Sequence, residues 1–209
     1  MNFFPVNLNI KNKLCTIIGG GKVAERKIFN LLKYNAKLKV ISKNFTENIL
    51  NIKNNVQIIK ANYNKKYLTG SFMVFICTNN KSLNLEIYKH AKEINALVNS
   101  ATHPELCDFT IPSVLKRGDL KITVSTNGIS PALARSIKKE LENHFGNEYS
   151  VLLEIMRKIR DKQLALNSNS KKNSELFYKF INSETIDLIR KNDFQTINKL
   201  IEDIFNFSI

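Results

Sequence analysis

Apolar residues in the first half of the chain come in short runs separated by stretches with helical spacing. Leu14-Cys15-Thr16-Ile17-Ile18 is closed by Gly19-Gly20-Gly21 and predicts a buried strand. Val23, Lys27, Leu31 and Leu32 then fall on successive turns of a helix. Lys37 to Ser42 alternates as a second strand, Val56 to Lys60 makes a third, and the wholly apolar Phe72 to Cys77 a fourth. A helix over Leu83 to Glu93 leads to a fifth strand, Ala96 to Asn99. Strands alternating with helices at this pitch predict an α/β fold, a Rossmann-type parallel sheet covered on both faces.

The rhythm changes after Asn99. Phe109 to Pro112 and Leu120 to Val124 flank a turn-like Lys116-Arg117-Gly118-Asp119, so two extended segments are expected without a crossover helix. Ser130-Pro131 supplies a cap and a first-turn proline for a helix running to about Phe145, where Gly146 stops it. Further helices are expected over Glu148 to Leu166, Leu176 to Asn182 and Phe194 to Phe205. Asn167 to Ser174 reads as a polar loop or linker. The second half is therefore a small α+β segment followed by a helical tail, and the chain shows no internal repeat.

Hydrophobic residues make up 43% of the 209 positions, enough for a core. No apolar window of about 18 residues exists, so no membrane span is expected. Met1 to Val6 lacks the basic start and apolar run of a signal peptide. Cys15 and Cys77 lie in strand-like runs and read as small core residues, while Cys107 lies in a loop; this usage suits a reducing, cytoplasmic compartment. The net charge of +14 is either a solvated lysine-rich surface or a match to a polyanion, meaning nucleic acid or a small molecule with several carboxylates.

Gly19-x-Gly21-x-x-Ala24 sits between a predicted strand and a predicted helix, the setting of a dinucleotide-binding turn. Gly19 permits the tight turn, Gly21 lets the backbone approach a pyrophosphate, and Ala24 lets the helix lie close to the strand. The helix N-terminus adds N–H groups and positive potential. A nicotinamide cofactor is the favoured ligand; a flavin, or a glycine turn with no nucleotide, is the alternative. The acid expected about 20 positions further on, to hold the ribose, is missing. Ser42 and Asn44 could bond the ribose and Lys43 could accept a 2′-phosphate, so NAD and NADP both stay open.

GGGKVAERK (Gly19–Lys27), Val98-Asn99 and CDFTIPSVLKRGDLKITVSTNGISPALAR (Cys107–Arg135) together resemble the precorrin-2 dehydrogenase module of sirohaem synthases, in order and spacing, over about residues 1–145. The resemblance implies NAD-dependent oxidation of precorrin-2 to sirohydrochlorin. Some members also insert ferrous iron, which makes Fe2+ a chelation substrate. It implies a homodimer built by the segment after the sheet, and a division into a nucleotide domain (1–106), a dimerisation and substrate segment (107–146) and a helical region (147–209). Nucleotide contacts would fall on Lys22, Val23, Lys43, Asn44, Thr78 and Asn79. A substrate rich in carboxylates suits a basic protein, with Arg117 and Arg135 as partners and Lys116 beside them. The hydroxyls of Ser125 and Thr126 are further candidates.

The family often carries an aspartate after the Val-Asn pair, and here that position is Thr102. A threonine hydroxyl is a weak base, so His103 and Asp108 become the candidate proton acceptors. His90 and His144 are read as structural or surface residues. No cluster has fixed metal-ligand spacing, so no resident metal is expected. Two other readings compete: a redox-sensing nucleotide binder that touches nucleic acid, disfavoured because no DNA-reading motif flanks the sheet, and a scaffold that binds tetrapyrrole without turnover.

Overall fold

A strand that is apolar at every position needs cover on both faces, and the residues around the first sheet supply it. The computed structural model describes residues 3–166 and 170–209, apart from the side chains of residues 170–172. Two compact units divide the chain, Met1–Ile111 and Pro112–Ile209. In the first, β1 (Leu14–Ile18), β2 (Lys37–Ser42), β3 (Gln57–Lys60), β4 (Met73–Ile76) and β5 (Leu97–Ser100) form a parallel sheet in the order β3-β2-β1-β4-β5. Cys15, Ile17, Met73 and Phe75 face one way, into a core closed by Ala24, Ile28 and Leu31 of α1 (Lys22–Leu32) and by Ile49 of α2 (Glu47–Asn51). Ile18, Val74, Ile76 and Val98 face the other way, under Ile87 and Ala91 of α3 (Lys81–Glu93). The expected Rossmann-type sheet is present, and its order reverses at β1 and β4, where ligands of such sheets bind.

Several boundaries differ from expectation for identifiable reasons. Helix α3 begins two residues earlier than its periodicity suggests because the Asn80 side chain caps it, accepting from the Leu83 amide at 3.0 Å. Helix α2 is only five residues long, too short for a periodic signal.

In the second unit, β6 (Ser113–Arg117) and β7 (Leu120–Val124) form an antiparallel hairpin. The first extended segment is therefore not Phe109–Pro112. The turn sets the register: Arg117 pairs with Leu120 across Gly118 (φ +55°) and Asp119, and pairing runs back to Ser113 opposite Val124. Helix α4 (Pro131–His144) starts on Ser130, whose hydroxyl accepts from the Leu133 amide at 3.2 Å. The rest is a helical core of α5 (Glu148–Ala165), α6 (Ser170–Ile181), α7 (Thr185–Arg190) and α8 (Phe194–Phe205).

The expected linker at 167–174 is helical from Ser170, and its first three residues lie outside the described ones. Asn173 accepts a hydrogen bond from the buried Gln163 side chain at 3.1 Å, a tertiary tie that local composition does not reveal. Among the described residues, no helix is long and apolar enough to cross a membrane.

Phe180 is fully buried in this helical core, with its ring 5.8 Å from that of Phe205. Phe180→Ala is expected to cost about 3–5 kcal/mol in chemical denaturation, and to speed amide exchange in α5–α8.

Candidate active site

The chain leaves β1 through three glycines with different surroundings. Gly19 has φ +124°, and a Cβ there would fall on the Cys77 carbonyl, so only glycine fits. A Cβ on Gly20 would fall on the Asn44 carbonyl and the Phe45 ring, because the loop after β2 lies directly on the turn. That loop is held by a hydrogen bond from the Thr46 amide to the Gly20 carbonyl at 3.0 Å. Gly21 differs from both: a Cβ there would meet nothing within 4 Å. Sequence spacing marks Gly19 and Gly21 and passes over Gly20, although the uninterrupted triplet was the available signal.

Gly21 is the N-cap of α1 and brings no side chain to its N-terminal amides. Lys22 and Val23 are exposed there, while Ala24 is fully buried and lets the helix lie against the sheet. This end of α1 is open to an anion that can accept from backbone N–H groups. Glu25 braces the neighbourhood: its carboxylate accepts from Asn48 at 2.9 Å and lies 3.6 Å from the Lys22 ammonium. The neighbouring Thr46 hydroxyl and the Asn48 amide hold its pKa below the usual carboxylate value.

Beside the turn is a cavity of about 250 Å³ at the C-terminal ends of β1, β2 and β4. Gly19, Ser42, Lys43, Asn44 and Thr78 all line it, so five of the sequence-derived cofactor residues meet in one place. Asn79 is exposed just before α3 and does not line it. Tyr63 forms another wall, with its hydroxyl 3.0 Å from His90 Nδ1 and its ring stacked on the imidazole at 6.0 Å. Burial pushes the Tyr63 phenol pKa up. No motif marks Tyr63 in the sequence; it reaches the cavity only because β3 pairs with β2.

The loop after β5 brings Thr102 and His103 together, with the hydroxyl 2.8 Å from His103 Nδ1. Both also meet the fully buried Asn84 of α3, whose Nδ2 lies 3.2 Å from Thr102 Oγ1 and 3.5 Å from His103 Nδ1. Asp108 has other partners. Its carboxylate accepts from Lys92 Nζ at 2.9 and 3.0 Å and from the Val98 amide at 2.9 Å, pinning the loop to the start of β5. Cys107 Sγ accepts from the Ser100 amide at 3.2 Å, and burial pushes its thiol pKa up. Lys27 is turned inward onto Asn99 Oδ1 at 2.6 Å and over the Phe75 ring, and burial lowers its pKa.

The second unit holds the remaining candidates. Arg117 donates through Nε to the Phe145 carbonyl at 2.9 Å, tying the hairpin to the end of α4. Ser125 Oγ accepts from the Asn127 amide and Thr126 Oγ1 from the Ser130 amide, so both hydroxyls shape the turn before α4. Arg135 is exposed, and its Nε donates to the Pro131 carbonyl one turn back at 3.3 Å. Among the described residues, no group of three or more His, Cys, Asp or Glu could hold a metal.

Known proteins resemble this chain in sequence and in fold. A family profile described as "Putative NAD(P)-binding" matches residues 6–113, and one described as "Sirohaem biosynthesis protein central" matches residues 117–144. The sirohaem synthase of Vesicomyosocius okutanii is 34% identical over 163 residues, 77% of this chain and 35% of that protein. That of Nitrosomonas europaea is 33% identical over 165 residues, again 35% of its length. The chain thus spans about a third of the curated relatives it matches. A solved structure named SirC, precorrin-2 dehydrogenase, has the same fold at a TM-score of 0.79 and 23% identity, covering 98% of this chain and all of that one. With the first profile spanning more than half of its residues, the chain belongs to the family described as putative NAD(P)-binding, and it is similar to about a third of each of these sirohaem synthases.

Proposed function

We propose that this chain oxidises precorrin-2 to sirohydrochlorin with NAD+ as acceptor. The supporting observation is the joint placement of an uncapped helix N-terminus beside the open Gly21 and a cavity lined by Ser42, Lys43, Asn44 and Thr78. In this reading the α1 amides of Lys22, Val23 and Ala24 hold the pyrophosphate, while Ser42 and Asn44 hold the ribose hydroxyls. Lys43 beside them keeps NADP as the second cofactor to test. A bound nicotinamide would supply the hydride acceptor, which would leave one substrate proton for the chain to accept.

His103 is the proposed proton acceptor. With Nδ1–H donated to Thr102 Oγ1, its Nε2 carries the free lone pair, and the hydroxyl steadies the imidazolium that forms. Asp108 is the weaker candidate because both its oxygens already accept from Lys92 or the Val98 amide. Arg117, Arg135, Ser125 and Thr126 are proposed to meet the substrate's carboxylates, since guanidinium groups pair with them bidentately. Ferrous iron is written as a substrate of chelation, measured separately by adding Fe2+ to sirohydrochlorin.

A homodimer is also proposed, through α4. Ile129 is 88% exposed and Leu133 52% exposed, and Ala134 is the single buried residue of that helix. The competing reading, a tetrapyrrole binder without turnover, is favoured by Thr102 in the place of a carboxylate.

Purified protein mixed with precorrin-2 and NAD+ should produce NADH; nucleotide binding without NADH from NAD+ or NADP+ would establish the binder instead. Gly21→Ala should weaken NAD+ binding at least about tenfold while costing less than about 1 kcal/mol of stability. Gly20→Ala should itself destabilise the fold, by about 1–3 kcal/mol. His103→Ala should slow NADH formation at least about tenfold, whereas Asp108→Ala should chiefly lower stability, by about 1–3 kcal/mol. Full activity in His103→Ala would remove it from the reaction.

A further inference from the structure

Asn84 is fully buried, and every polar atom of its amide is committed. The Thr78 hydroxyl donates to Oδ1, and Nδ2 donates to the Thr78 carbonyl at 3.0 Å. Because a carbonyl can only accept, this pair of bonds fixes which end of the amide is which. The second N–H of Nδ2 is then directed at Thr102 Oγ1 and lies close to His103 Nδ1. The chain of contacts therefore starts at Thr78, on the wall of the nucleotide cavity, and ends at the imidazole. Its members come from three parts of the first unit: Thr78 after β4, Asn84 in the first turn of α3, and Thr102 and His103 in the loop after β5.

We propose that Asn84 is a positioning residue that couples occupation of the nucleotide cavity to the pose of His103. This rests on the reading that the cavity takes a nicotinamide dinucleotide. A ligand that engages Thr78 changes what the Thr78 hydroxyl and carbonyl offer to Asn84. The amide has no spare partner, so it can adjust only by moving its remaining N–H against Thr102 and His103. Burying an amide is costly unless its hydrogen bonds are made, and here they are made to groups on both sides of the junction. A core asparagine with a purely architectural role needs partners, but not partners that connect a ligand cavity to a proton acceptor.

The test uses the full chain and reads His103 directly. In the wild type, adding NAD+ should shift the His103 ring resonances, assigned by their loss in His103→Ala, in a heteronuclear NMR titration. In Asn84→Leu, which keeps the branched heavy-atom skeleton and removes the bonds, NAD+ affinity measured by calorimetry should stay within about threefold while the His103 shift falls to less than a third. Turnover should fall at least about tenfold with little change in KM for NAD+. Should Asn84→Leu fail to fold, Thr78→Val breaks the same chain at its other end with a side chain of nearly the same shape, and should likewise diminish the His103 response. If NAD+ binds and His103 responds equally in wild type and both variants, the coupling is refuted and the cofactor reading stands. If the wild type binds no nicotinamide dinucleotide, the cofactor reading falls and takes this proposal with it.

Discussion

The backbone at the end of β1 is squeezed between two others, and much of the first unit follows from that. Gly19 runs against the carbonyl of Cys77, just beyond β4, and Gly20 runs against the carbonyl of Asn44, just beyond β2. Three strand ends are thereby brought within backbone contact, with no side chain between them. The approach makes a narrow crevice at the place where strand order reverses. Side chains of ordinary size at either position would hold the strand ends apart, and the residues lining the cavity would no longer converge.

Charge is distributed to suit such a crevice. Half of the basic residues but only a third of the acidic ones lie in residues 1–111. Several of the acids there are already engaged: Glu25 with Asn48 and Lys22, Asp108 with Lys92, Glu86 near His90. The surplus positive charge therefore belongs mostly to the unit that carries the open N-terminus of α1, where it favours the approach of anions. Lys27 does not add to it, since its ammonium is held inside the unit on Asn99 and Phe75.

What the sequence revealed, and what it hid, divides along the range of the forces involved. The extents of β1, β2 and α8 follow from local periodicity and match the structure residue for residue, because each has one apolar face or a wholly apolar run. The first hairpin strand lies later than expected because Phe109 and Ile111 look like strand residues, whereas the second falls on Leu120–Val124 as expected. The Phe109 carbonyl instead accepts from Asn99, and its ring packs edge-on against Phe75. Helix α7 was missed because its start depends on Thr185, buried and bonded to the Phe180 carbonyl, a partner that only the tertiary fold supplies. The same distinction holds at the site. Gly19, Ser42, Asn44 and Thr78 could be placed by motif and strand ends, whereas Tyr63 and Asn84 acquire meaning only from which elements become neighbours.

The glycine triplet has a further consequence, in evolutionary time. Gly19 and Gly20 are constrained by the chain itself, so purifying selection acts on them wherever the fold is needed. Gly21 stands in open space, so no neighbouring atom of the chain excludes a side chain there. A lineage freed from ligand binding would thus keep the first two glycines and lose the third to drift.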